Sequence, residues 1–222
     1  TDNAGLMVDL GERAAKIGVA LPAANTQGHN VTLLSMALFG MYKRYRLRSI
    51  LDLTCRRNAE WIRPVLKIII DDADDSFRFY CLDEDATVLK ETVSFFKGFQ
   101  SIYFIRRSVL ESKLPNVGLV FGLDYLQMLD NDLVLKTLTA LKKNHSPYFL
   151  TTHNPSRRNP EDRTTGKYAP INLKAPPYRL GAPERVFDGI VDDYKHEGYP
   201  VQLMLWNVSE AFPYEVEKYP RF

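Results

Sequence analysis

The chain has 222 residues, 45% of them hydrophobic and 25% charged, which is enough apolar material for one full core and predicts a single domain over residues 1–222. Its 29 basic and 27 acidic residues nearly cancel, to a formal charge of +2, so no bulk attraction to nucleic acid or anionic membrane is expected and partners must be argued from sites. Two cysteines, Cys55 and Cys81, exclude a disulfide-dense scaffold and a Cys-ligated structural zinc, and no apolar run approaches the roughly 20 residues of a membrane-spanning helix.

The chain opens without an initiator Met and without a charged region followed by an apolar one, so any targeting segment is expected to have been removed or not included. Residues 4–17 place Leu6, Met7, Leu10, Ala14 and Ile17 at spacings of three and four, the stripe of an amphipathic helix that Asp2 or Asn3 could cap. After the loop LPAANTQGHN, residues 31–45 form an apolar and then basic run. The run reads as a packed helix whose basic end, KRYRLR, favours the negative pole of the dipole; the other reading of KRYRLR is a phosphate patch. Residues 1–48 are thus expected as an N-terminal helical cap.

From residue 49 short apolar runs alternate with helical stretches, the pattern of βαβ units in a mostly parallel sheet. The predicted strands are 49–53, 77–82, 101–105, 117–123 and 148–152, and the predicted helices 61–70, 84–96, 125–129 and 132–143. The acidic run DDADD, residues 71–75, reads as a solvated connection. Residues 49–152 make up this βα core. Residues 153–183 hold six of the thirteen prolines and little periodicity, and predict a long ordered or semi-ordered excursion. In residues 184–222 two strand-like runs, 185–191 and 201–208, flank DDYKHEGYP with its Gly198 and Pro200, which reads as a hairpin and tail.

Five parallel units ending in an antiparallel hairpin is the layout of a Rossmann-like α/β sheet of seven strands. Four segments then resemble, in order, the motifs of the class I S-adenosylmethionine (SAM) dependent methyltransferases: ILDLTCRRNAEW, FYCLDED, LPNVGLVFGLDYLQML and SPYFLTTHNP. INLKAPPYRL and QLMLWNV are similar to segments of one subgroup, so the resemblance runs from about residue 49 to 208. It implies the class I methyltransferase sheet with its C-terminal antiparallel hairpin.

The resemblance also locates a cofactor site, and the residues there are degenerate. Behind Asp52, the places of the family's three loop glycines hold Thr54, Arg56 and Asn58, whose side chains are expected to fill the cofactor's volume or to change the turn's conformation. Asp83 or Asp85 stands where the ribose acid belongs, although an Asp just past a strand is also a routine helix N-cap. Near the adenine side the chain has Arg106 and Arg107, which cannot accept a hydrogen bond, and Ser108, which can; the family's fourth-strand Asp falls at Gly118. Asp124 and Gln127 follow the fourth strand, either toward a substrate or as an N-cap and a solvated helix face. His153 stands after the fifth strand, in the position of a substrate base or of an ordinary hydrogen-bonding loop residue.

Cys55 and Cys81 fall near the ends of strands expected to be adjacent. A disulfide there is allowed but not favoured by parallel neighbours, and two buried free thiols is the reading adopted. No GxSxG, HExxH or phosphate-loop motif occurs, no metal site is expected and no catalytic residue is assigned. The expectation is a methyltransferase-like protein that has lost SAM binding and catalysis, needs no cofactor, and acts as a structural or interaction subunit through a protein partner or self-assembly. The alternative is an active SAM-dependent methyltransferase with a divergent loop and residues 153–183 as a lid. A third reading uses Arg56 and Arg57 to bind an anion. Sequons at Asn30, Asn144 and Asn207 weakly favour the secretory pathway over the cytoplasm.

Overall fold

The structure, a computed structural model, describes residues 3–21, 30–73, 76–111, 114–155, 158–189 and 201–213. Seven strands form one sheet: β1 (Ser49–Asp52), β2 (Arg78–Asp83), β3 (Ile102–Arg106), β4 (Leu119–Gly122), β5 (Tyr148–His153), β6 (Arg185–Phe187) and β7 (Gln202–Asn207). Their spatial order is β3-β2-β1-β4-β5-β7-β6. β1 pairs in parallel with β2 and β4, β2 with β3, and β4 with β5. β7 inserts antiparallel between β5 and β6, with Leu150 opposite Leu205 and Arg185 opposite the same residue on the other side. Residues 190–200, the connection expected to carry Gly198 and Pro200, lie outside the described residues.

Every residue of β4 is buried, as expected for a strand covered on both faces. One face carries α1 (Asn3–Lys16), α2 (Val31–Tyr45), α3 (Cys55–Asp72) and α4 (Ala86–Phe95), packed on Ile50, Phe79, Cys81, Leu119, Phe121 and Leu205. The other carries α5 (Asn131–Lys143), the short α6 (Val208–Ala211) and, in place of further helix, the 153–183 segment, whose Ile171, Leu173, Tyr178 and Leu180 pack with Leu51, Phe149 and Trp206. Among the described residues no helix joins β3 to β4, so the half of this face over β2 and β3 is thinly covered and Tyr103 is 42% exposed.

Local chemistry explains several boundaries. Asn30 caps α2 by accepting from the Leu33 N–H, and the helix stops where Arg46 takes a left-handed conformation, φ +50°, returning its N–H to the Tyr42 carbonyl. KRYRLR is therefore a helix end, as read from its charge. Three boundaries differ from expectation. α3 begins at Cys55 and ends at Asp72, so the first two residues of the DDADD connection are helix; the predicted helix 125–129 is one 3-10 turn, Leu126–Met128; and β6 has only three described strand residues. No helix among the described residues is long and apolar enough to cross a membrane.

Candidate functional site

Because β1 to β5 are parallel, their C-terminal ends share one edge of the sheet, where open α/β sheets take up ligands. Most of the residues singled out from the sequence are on or just past those ends: Asp52 and Thr54 after β1, Asp83 and Asp85 at β2, Ser108 after β3, Asp124 and Gln127 after β4, and His153 closing β5.

The β1 turn is a closed polar knot. The Asp52 carboxylate is fully buried and accepts from the Thr54 N–H (2.7 Å), the Thr54 hydroxyl (3.1 Å) and the Asn58 amide, which reaches both carboxylate oxygens (2.9 and 3.1 Å). Asn58 also donates to Thr54 Oγ1 and accepts from Trp61 Nε1 at 3.2 Å. Burial pushes the Asp52 carboxyl up to about 6, against the pull of those donors. Helix α3 starts at the next residue, and among the described residues of the turn none has positive φ; Thr54 sits at φ −134°. Two turn residues, Leu53 and Thr54, lead directly into the helix, so no residue there carries the strain of a left-handed conformation.

Arg56 does not enter the crevice. Its guanidinium lies over the Phe95 ring, 4.7 Å from the centroid, and 3.5 Å from Glu91, both on α4. That also gives its charge a partner other than a bound anion. Cys55 and Cys81 are joined by a disulfide, with Cα atoms 5.3 Å apart, which corrects the reading as free thiols. The strands allow it because α3 starts one turn past β1, bringing Cys55 beside β2, where Cys81 is the register partner of Asp52.

Asp83, half-buried, accepts from the Asp85 N–H at 2.9 Å; Asp85 caps α4 by accepting from the N–H groups of Thr87 (2.7 Å) and Val88 (3.4 Å). Ser108 Oγ accepts from the Leu110 N–H and its own N–H donates to Glu111, a local turn.

At β4 and β5 the expectations change most. Asp124, with φ +54°, precedes the 3-10 turn rather than capping it, and its N–H donates to Thr152 Oγ1 at 2.8 Å. Gln127 is not on a solvated face: it is 0% exposed and donates to the Thr152 carbonyl at 2.9 Å. His153 is strand rather than loop and is buried. Its Nδ1 accepts from the Leu173 N–H, its ring meets the edge of Trp206, and burial, with Lys174 nearby, pushes it down to about 4. A neutral imidazole whose Nδ1 is occupied by the Leu173 N–H ties the end of β5 to that residue.

Residues the sequence did not single out do the rest. Arg163 is buried and donates five hydrogen bonds to the carbonyls of Leu126, Leu129, Ala169 and Pro170, at 2.8–3.1 Å. The buried Asn154 exchanges backbone and side-chain bonds with Ile171, and Ala169 and Gly166 donate to the Gln127 and Met128 carbonyls. The only sequence signal for these was a cluster of Asn and Arg inside the proline-rich stretch. Among the described residues no group of three His, Cys, Asp or Glu is arranged to hold a metal.

No protein-family model and no curated protein matches the sequence at a significant level. Solved structures do. The citrinin polyketide synthase CMeT domain superposes with a TM-score of 0.58 at 9% identity over 82% of this chain and 52% of that one, so the chain spans about half of that structure. A methyltransferase described as putative in Thermobifida fusca gives 0.54 at 13% identity, covering 89% and 86%. The O-methyltransferase of a Brevibacillus brevis polyketide synthase, solved with S-adenosyl-L-homocysteine, gives 0.52 at 9% identity, covering 79% and 77%. Strand order, the antiparallel insertion of β7 and these likenesses give the chain the fold of the class I methyltransferases.

Proposed function

We propose that this protein keeps the methyltransferase fold without a working cofactor site and acts as a structural or interaction subunit. One observation supports the reading: Asp52, Thr54, Asn58 and Trp61 satisfy one another's polar groups at the turn after β1, where the resemblance puts the family's glycine turn. The fit of SAM to these residues is poor. Both Asp52 oxygens already accept from the chain, and α3 begins where an open loop would be needed. The disulfide ties that helix start to β2 and resists its opening.

Calorimetric titration of the full chain with SAM and with S-adenosylhomocysteine tests this: no saturable heat is expected up to about 1 mM ligand, and a micromolar dissociation constant for either overturns it. A second reading, an active methyltransferase with a divergent turn, is favoured by Asp83, which still ends β2 as a half-buried carboxylate on the ribose side. It expects S-adenosylhomocysteine to raise the melting temperature by a few degrees and Asp83→Ala to remove that rise.

A further inference from the structure

β3 is the last strand of the sheet on its side, so one row of its main-chain groups has no neighbouring strand among the described residues. Two bonds show which row: the Phe79 N–H donates to the Ser101 carbonyl and the Arg107 N–H to the Asp83 carbonyl. Alternate residues of a strand turn to the same neighbour, so Ser101, Tyr103, Ile105 and Arg107 face β2, and the N–H and C=O groups of Ile102, Phe104 and Arg106 point outward. After β3 the described chain does not return along this edge, because Val109, Leu114 and Val117 are buried beneath the sheet with Leu51, Leu82 and Val120.

Open edges are commonly blunted by shortness, by proline or by lysine. The opposite edge, β6, has three described strand residues and follows Pro183 closely. β3 has five, IYFIR, with neither proline nor lysine. Its one charge, Arg106, donates to the Glu84 carbonyl, and Arg107 just past it lies 3.9 Å from Glu111, so both cations at this edge have partners within the chain and call for no acidic ligand. Tyr103 and Ile105 point to the thinly covered face, where Tyr103, 42% exposed, stacks on its register partner Tyr80 with centroids 5.3 Å apart, and Ile105 stands beside Leu82.

We propose that β3 pairs with β3 of a second copy of this chain, antiparallel about a twofold axis at Phe104, in a homodimer with one continuous sheet. The outward row is centred on Phe104, so this register closes it on itself: Phe104 exchanges bonds with Phe104 of the second copy, and Ile102 with Arg106 of the second copy. Between those pairs Tyr103 stands opposite Ile105 of the second copy, which joins Tyr80 and Tyr103 to Ile105 and Leu82 of the second copy in one apolar row across the seam. The charges fit too, since Arg106 meets Ile102 and no like charges face each other. One pair of short strands is a small interface, so the dimer is weak, with a dissociation constant of about 10–300 µM. The proposal names a partner for the interaction role above and rests on that reading for its purpose, while its geometry does not involve the turn after β1.

Sedimentation velocity of the full chain from about 5 to 500 µM should show a monomer passing into a dimer. Tyr103→Lys puts a charge into the apolar row and Arg106→Pro removes an outward donor; each should weaken the dimer by about tenfold or more, and if circular dichroism shows one of them unfolded the other carries the test. Register is read by mixing two single variants, Tyr103→Cys and Ile105→Cys, with oxidised glutathione. The mixture should give a covalent dimer and neither variant alone should, because like positions of the two copies stand diagonally, beyond about 7 Å. Amide exchange at Ile102, Phe104 and Arg106, free in the dilute monomer, should slow as concentration rises through the dissociation constant. A chain that stays monomeric at about 500 µM overturns the proposal and leaves the edge to a strand of another protein. So does a dimer that survives both Tyr103→Lys and Arg106→Pro, or bridging by either cysteine variant alone as readily as by the mixture. Saturable binding of SAM would overturn the cofactor reading and leave the dimer standing, whereas a monomer that binds no SAM would do the reverse, so the two failures are distinct.

Discussion

Asp52 and His153 end strands on either side of β4, both buried, and their titrations oppose each other. Asp52 has a folded pKa of about 6, above the roughly 4 of an unfolded Asp, so between those values the native state holds the proton and stability falls as pH rises. His153 has a folded pKa of about 4, below the roughly 6.5 of an unfolded His. Its contribution is fully present above 6.5 and is lost as pH falls toward 4. Each effect is on the order of 3 kcal/mol across its window, and the two largely cancel between pH 4 and 6. Urea midpoints measured from pH 4 to 7 should therefore differ in slope: Asp52→Asn should lose stability steeply on acidification, while His153→Gln should lose it on going from pH 4 to 6. Parallel profiles for the two variants would contradict the assignment. Asn58→Ala removes the donor to both Asp52 oxygens and leaves a buried carboxylate underserved, for an expected loss of about 2–4 kcal/mol in the same assay. From the sequence, Thr54 and Asn58 were expected to fill the cofactor's volume or to change the turn's conformation; in the structure both bond Asp52. The sequence did not show that pairing, because it depends on where α3 starts. It also sent Arg56 to the wrong side, since the attraction of Phe95 and Glu91 comes from the next helix.

Strands were legible because each is a short apolar run between polar stretches, and their parallel order followed from the alternation with helices. Helix starts were less so. Pro64 is a common first-turn residue, so residues 61–70 look locally like a complete helix, yet α3 begins six residues earlier and carries Pro64 in its interior. What extends it is tertiary: the knot at Asp52 and the bond from Cys55 to Cys81. The disulfide closes a separation of 26 residues, which in the chain-entropy account is worth about 3 kcal/mol. Reduction, or Cys55→Ala with Cys81→Ala, should lower the urea midpoint accordingly, with the largest gain of amide exchange in the first turns of α3; exchange rising uniformly would mean that the bond does not anchor that helix. Residues 153–183 read from the sequence as an ordered or semi-ordered excursion, not as a wall of the core, which Ile171, Leu173, Tyr178 and Leu180 help to form. Arg163 among prolines and polar residues looks solvated, and only the folded chain converges four carbonyls on it. Arg163→Lys keeps the charge but not the fork, so about 2–3 kcal/mol should be lost and limited proteolysis should cut within 153–183 where the parent resists.

Across the molecule, cover is uneven. One face of the sheet is sealed by four helices, the other by α5, α6 and the Arg163-centred segment, and β3 forms an edge with little over its second face. Amide exchange should report this as a gradient, with β3 opening at lower free energy than β1 and β4, which are bordered by strands on both sides; protection in β3 equal to that in β4 would contradict it. The knot under α3 also has a consequence for how this turn tolerates substitution. The buried Asp52 carboxylate takes every hydrogen bond described for it from Thr54 and Asn58. Thr54→Gly or Asn58→Gly leaves a buried carboxylate short of a side-chain donor. The turn therefore resists change one residue at a time: each single substitution to glycine costs stability on its own, so Thr54 and Asn58 are bound to vary together or not at all.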